Sequence, residues 1–251
     1  MEVHHHPDLH HRRKRFREYF LEFLMIFLAV TLGFLAENLR EHITNQAKEK
    51  EYIRAFIRNV QDDTARLRQV IRFDSVQVNG IDRFLRMSHT DFKPDSNRRN
   101  FYMLAGGTFY NSFAFISNNA TLQQLKSTGD YRLIKRDHVA DSLSQYDANI
   151  QDITNETNFY NQYFREVLAR LDGISDMTVY SDTTFIKKNN TATQKPFPEL
   201  TADSKELRTL FNKVYDFRMI TNSYANNYLK PQLKDATRLI VFLKNTYGIE
   251  D

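Results

Sequence analysis

The stretch IRAFIRNVQDDTARLRQVIRFDSVQVNGIDRFL, Ile53–Leu85, places Ile53, Ile57, Val60, Thr64, Leu67, Ile71, Asp74, Val78, Ile81 and Leu85 in alternating steps of four and three. That spacing gathers mostly apolar side chains on one stripe of an α-helix. The same rhythm returns at Leu143, Tyr146, Ile150, Ile153, Thr157, Tyr160, Phe164, Val167 and Leu171. It returns again at Leu207, Leu210, Val214, Phe217, Thr221, Tyr224 and Tyr228, and continues past Pro231 to Leu239 and Phe242. Narrow seams of this kind suit antiparallel bundle packing. The reading predicts an all-α fold with long helices over about 49–88, 136–172 and 203–246. At 1.5 Å per residue each is about 55 to 65 Å long, so the bundle is expected to be elongated. Pro231 is expected to kink the last helix or end one segment of it.

Composition agrees with long helices. Seven Gly and five Pro in 251 residues supply little turn material for a many-stranded sandwich or barrel. The absence of cysteine excludes disulfides, thiolate nucleophiles and Cys-based metal centres.

Between the seams, Asp91–Asn100 reads as a polar loop. In FYMLAGGTFYNSFAFI, Phe101–Ile116, the Gly106–Gly107 pair is expected to break a helix into two pieces or a hairpin-like cap whose aromatics close one end of the bundle. Asn119 is a candidate N-cap for ATLQQLKST, and Gly129 a candidate residue just past its C-terminus. The stretch Asp172–Ala202 is the longest irregular one, with room for a short hairpin around Met177–Ile186.

The net charge of +4 is unevenly placed. Arg12, Arg13, Lys14, Arg15 and Arg17 oppose only Glu2 and Asp8 in the first seventeen residues, so three of the four units sit there. Directly after this block comes YFLEFLMIFLAVTLGFLA, Tyr19–Ala36, interrupted only by Glu22 and Thr31. Eighteen helical residues span about 27 Å against a hydrocarbon core of ~30 Å. No small-x-small cleavage site follows, and no polar face marks an interfacial helix. The expected organisation is a basic, His-rich cytoplasmic tail over 1–17, a transmembrane signal-anchor helix over 18–39, and an extracytoplasmic helical bundle over 40–251. The cation excess before the span points to a cytoplasmic N-terminus and, in a bacterium, an inner-membrane protein with a periplasmic domain.

Within the span, helical projection brings Glu22, Ile26, Ala29, Gly33 and Arg40 onto one stripe flanked by Ala36 and Glu37. Small residues at Ala29 and Gly33 allow close approach of another helix, and an acid near lipid seeks a partner. Glu22, Ala29, Gly33 and Glu37 are therefore the candidate association face, with a homo-oligomer or another membrane protein as its expected partner. Glu22 at the head of the span also admits a proton-carrying role, as in single-span stator subunits.

The segments YFLEFLMIFLAVTLGFLAENLREH, KEKEYIRAFIRNVQDDTARL and TLQQLKSTGDYRLIKRDHVADSLSQYD resemble a group of Gram-negative single-pass envelope proteins of unassigned function. The likeness rests on the G-F-x-A-E-N end of the span and the L-x-x-S-G-x-x-R-L-I element, and it covers about half the chain. It implies a topology and no activity. In that element Gly129 and Arg132 are expected to cap and pack, with Arg132 pairing an acid.

Catalytic signatures are absent: no G-x-S-x-G, Walker A, G-x-G-x-x-G, H-E-x-x-H or EF-hand pattern occurs. His42, His89 and His138 lack paired ligand spacing, and the run His4, His5, His6, His10 and His11 reads as a solvated tail. No enzyme activity, cofactor or metal is expected. Beyond the basic block, cations and acids nearly balance and intermix along helices, which argues against nucleic-acid binding. One constellation suits a small polar ligand. Asn158, Tyr160 and Tyr163 on one helix and Asn222, Tyr224 and Tyr228 on another fall near one level of antiparallel neighbours. The functional expectation is a non-enzymatic scaffold or accessory subunit in the envelope. The alternatives are a ligand-sensing bundle and a stator-like subunit using Glu22.

Overall fold

A computed structural model describes residues 16–182, 185 and 195–250, and every regular element among them is helical. In chain order these are α1 (Phe16–Leu85), α2 (Asp95–Phe109), α3 (Ala120–Ser127), α4 (Asp137–Ile174), α5 (Ser204–Ser223), a π-helical segment (Tyr224–Leu229) and α6 (Lys230–Tyr247). Short 3-10 turns occupy Asp130–Leu133 and Met177–Ser181. The chain divides into two units, Met1–Glu51 and Tyr52–Asp251.

The described part of the first unit is helical throughout. Its most apolar window is long enough to cross a membrane, and none of that window is buried. Phe20, Phe23, Ile26, Leu32 and Phe34 are all more than half exposed.

In the second unit one core joins α1, α4, α5 and α6. The α4 seam lies where its spacing puts it, with all of Leu143 to Leu171 in the expected series buried. On α1 the buried face is wider than expected. Ile53, Val60, Leu67, Asp74 and Ile81 form one row at seven-residue spacing, and Phe56, Asp63, Val70, Gln77 and Phe84 form a second, while Ile71, Val78 and Leu85 are only half-buried.

The expected antiparallel arrangement holds for only part of the core. Tyr146 reaches Asp63 and Tyr160 reaches Gln77, so sequence position rises together along α1 and α4 and these two helices are parallel. Contacts of Tyr160 with Phe217 and of Asn149 with Gln232 run the opposite way, so α5 and α6 are antiparallel to α4. A long return connection makes the parallel pair possible. From Thr108 at Gly80, through Phe113 at Phe73, Ile116 at Arg66 and Thr121 at Asn59, to Asp130 at Tyr52, the chain descends α1 before α4 begins.

Several local expectations are corrected. Gly106 and Gly107 lie inside α2, which starts at Asp95 within the expected loop. The reason at Gly106 is space: an added Cβ would fall 2.5 Å from the Tyr180 ring, whose hydroxyl donates to the Tyr102 carbonyl. The aromatics of this region do pack together, with Phe84 against Phe101, Phe109 and Phe211 at centroid distances of 5.2 to 5.4 Å. Asn119 occupies the N-cap position of α3 without a side-chain capping bond. Asn59 of α1 caps it instead, accepting from the Thr121 N–H at 3.2 Å and the Thr121 hydroxyl at 2.5 Å. Gly129 adopts the left-handed conformation expected of it, at φ 71. Met177–Ser181, placed in a possible hairpin, is a 3-10 turn, and 186–194 lie outside the described residues.

Pro231 lies in the first turn of α6, directly after the π-helical segment, so one α-helical segment does end ahead of it, as expected. Its ring would collide with the Asn227 carbonyl in a regular α-helix, and the wider π turn relieves that contact. The inserted residue also rotates the seam. Buried positions run Leu210, Val214, Phe217, Thr221 and Tyr224, then Ala225, Leu229, Gln232, Ala236, Leu239 and Leu243, one step beyond the unbroken series. Tyr228 is consequently half-buried, and Phe242 is exposed.

Candidate functional site

Two acids occupy the buried rows of α1, and their surroundings differ. Asp63 accepts from the Ser117 hydroxyl at 2.5 Å, the Asn118 N–H at 2.6 Å and the Tyr146 hydroxyl at 2.7 Å. Three donors satisfy that carboxylate, and with Asn59 and Arg66 it fastens the 116–121 segment along α1. Burial and the Asp63 charge push the Tyr146 phenol upward.

Asp74 is 1% exposed, and neither carboxylate oxygen has a hydrogen-bond partner. Removing the charged form from water is costly. Burial alone therefore raises its pKa from the usual carboxylate range to about 7, with no cation offsetting it.

Tyr160 of α4 and Tyr224 of the π-helical segment sit within the electrostatic reach of Asp74, their rings 5.5 Å apart. Burial first, and then the Asp74 charge, pushes both phenols upward, Tyr224 to about 12. Each hydroxyl is already committed. Tyr160 donates to Gln77 Oε1 at 2.7 Å, and Gln77 Nε2 in turn donates to the Thr108 and Asn111 carbonyls at 3.3 and 3.4 Å. The Thr157 hydroxyl gives its single hydrogen to the Ile153 carbonyl at 2.8 Å, so Tyr224 is the donor in its 2.8 Å bond to Thr157. Neither phenol proton serves Asp74.

Of the six residues expected to form a polar layer, the structure brings together Tyr160 and Tyr224. Asn158 and Asn222 are exposed on their helices, and Asn222 accepts from Asn226 one turn on. Tyr163 packs edge-on against Phe159 at 4.9 Å beneath the Lys213 ammonium. Tyr228 turns toward Glu156, which pushes its phenol upward. Of the core partners around the two tyrosines, Asp74 and Thr157 are visible in the sequence only as polar residues at seam spacing, and Gln77 falls off the expected seam.

On the span, Ala29 is exposed, and a Cβ added at Gly33 would meet nothing within 4 Å. Glu37 is held by Arg40 of its own helix through bonds of 2.8 and 2.5 Å. Glu22, one turn into the apolar stretch, is half-exposed. Arg132 is exposed, and no acid pairs with it among the described residues. Among the described residues no three His, Cys, Asp or Glu side chains gather as a metal site. The tail histidines His4, His5, His6, His10 and His11 lie outside them.

Compared with protein-family models, curated proteins and solved structures, the chain matches none.

Proposed function

We propose that the chain is a single-pass membrane protein, with a cytoplasmic N-terminus and a periplasmic helical domain, that acts non-enzymatically as a scaffold or accessory subunit of a bacterial envelope complex. The observation that carries this reading is the apolar cylinder at the start of α1, whose most apolar window is nowhere buried among the described residues. A contiguous apolar surface of this extent in water would drive association, and lipid is the environment that fits it. The bare backbone at Gly33, beside Ala29, suits helix–helix contact inside that environment.

The chain has no cysteine, so single-cysteine variants report without background. In native membranes Gly33→Cys is expected to form a disulfide with a second copy, or a cross-link with another membrane protein, under mild oxidation, and Leu28→Cys off the stripe is not. Equal and negligible capture at both positions would rule out the association stripe. A cysteine at Ser204 is expected to react with an impermeant maleimide added from the periplasmic side. Protection there until the membrane is opened would reverse the topology.

The stator-like reading rests on Glu22 alone. Proton-coupled activity that survives Glu22→Gln would remove it.

A further inference from the structure

The Asp74 layer is the buried polar feature that anchoring and scaffolding leave without a use. A carboxylate placed in a core is ordinarily met by donors, as Asp63 is three turns earlier on the same helix. At Asp74 no donor is in place. Gln77, one turn on along α1, takes the Tyr160 hydroxyl at 2.7 Å, and the Tyr224 ring lies 5.5 Å from that of Tyr160, both phenols feeling the Asp74 charge.

We propose that Asp74, faced by Tyr160 and Tyr224 across the core, is a proton-binding site whose occupancy sets the packing of the π-helical segment against α1 and α4. The protonated carboxyl is compatible with the hydrogen bonds described. Once ionised, Asp74 requires donors, and those within its electrostatic reach are the two phenols. Recruiting Tyr160 takes its hydroxyl from Gln77, which holds the C-terminal end of α2 through the Thr108 and Asn111 carbonyls. Recruiting Tyr224 takes its hydroxyl from Thr157, the bond that ties the π-helical segment to α4. A local charge change is thereby converted into a change at two element boundaries.

The groups facing Asp74 do not obscure its titration. From α4 it meets Tyr160 and from the π-helical segment Tyr224, both phenols pushed upward and neutral below pH 8. From the return segment, the Phe115 backbone acts on Tyr224 and lowers its phenol pKa in part. Glu156 of α4 acts on Tyr224, and no cation acts on Asp74. With burial as the cause, the carboxyl holds its proton up to about pH 7.

The test uses the full chain in detergent micelles. Carboxyl 13C NMR of the wild-type protein is expected to show one aspartate, absent from the spectrum of Asp74→Asn, titrating near neutrality. Backbone hydrogen exchange is then compared between wild type and Asp74→Asn at equal pH, which cancels the intrinsic pH dependence of exchange. Exchange over 224–229 is expected to match at pH 5.5 and to be about tenfold faster in wild type at pH 8, one unit above the midpoint. A midpoint in the ordinary carboxylate range overturns the proposal, and so does a wild-type to variant ratio that stays constant with pH. If Asp74→Asn does not fold, the wild-type titration alone decides.

Discussion

Tyr146 donates its hydroxyl to Asp63 at 2.7 Å across the core, and that bond marks the acid as part of the architecture. Asp63→Ala would strand the Ser117, Asn118 and Tyr146 donors together. A loss of about 3 to 5 kcal/mol is expected, since the buried partners lose a charged acceptor. Tyr146→Phe removes one donor and leaves two on the carboxylate, for about 1 kcal/mol. Denaturant unfolding of the two variants checks the ordering, and equal costs would contradict the role of Asp63 as a hub.

Asp74 has the opposite sign. Its folded pKa of about 7 lies above the ordinary aspartate value of 3.8, so the folded state retains a proton that the unfolded chain releases. Stability contributed by this group is therefore complete at about pH 4 and declines as pH rises, with the full penalty present above pH 7. Asp74→Leu is expected to be stabilising at pH 8, by about 1 to 4 kcal/mol, with the gain shrinking toward pH 5. Thermal unfolding at the two pH values measures this, and a gain that is the same at both would be inconsistent with ionisation as its cause.

Adjacent glycines in α2 give a paired test. A Cβ at Gly106 meets Tyr180 at 2.5 Å, whereas one at Gly107 meets nothing within 4 Å. Gly106→Ala is expected to cost about 1 to 3 kcal/mol through displacement of Tyr180. Gly107→Ala is expected to gain about 0.5 to 1 kcal/mol from helix propensity alone. Melting temperatures that move in the same direction would contradict the packing assigned to Tyr180.

The π-helical segment predicts a tolerated deletion. Removing Asn226 together with Pro231→Ala would restore a continuous α-helix while keeping Gln232, Ala236, Leu239 and Leu243 on the buried face. The variant is expected to melt cooperatively. Deleting the exposed Asn212 rotates every upstream seam residue by about 100° relative to those downstream and is expected to abolish that cooperativity.

Much of this fold is legible because its helices are periodic. The α4 seam is regular from Leu143 to Leu171, and its buried residues follow from spacing alone. On α1 the second buried row escapes a reading by hydrophobicity because Asp63 and Gln77 interrupt it, although it also contains Phe56, Val70 and Phe84. The π-helical insertion leaves no local signal except Pro231, which specifies that regular helix is disturbed and leaves open how. The parallel course of α1 and α4 depends on the return path of 108–130, a tertiary property that periodicity does not encode. Four of the six residues expected in the polar layer do not join it, and for two of them the reason is related. Asn158 and Asn222 share a level with Tyr160 and Tyr224, but a rotation about each helix axis turns them to solvent.

The most direct test of the account is alkaline carbonate extraction of membranes from cells expressing the full chain. The exposed apolar cylinder of Tyr19–Ala36 predicts that the protein stays in the membrane pellet. It also predicts that a variant lacking 19–36 appears in the supernatant. Release of the intact protein by carbonate would contradict the membrane anchor on which the proposed function rests.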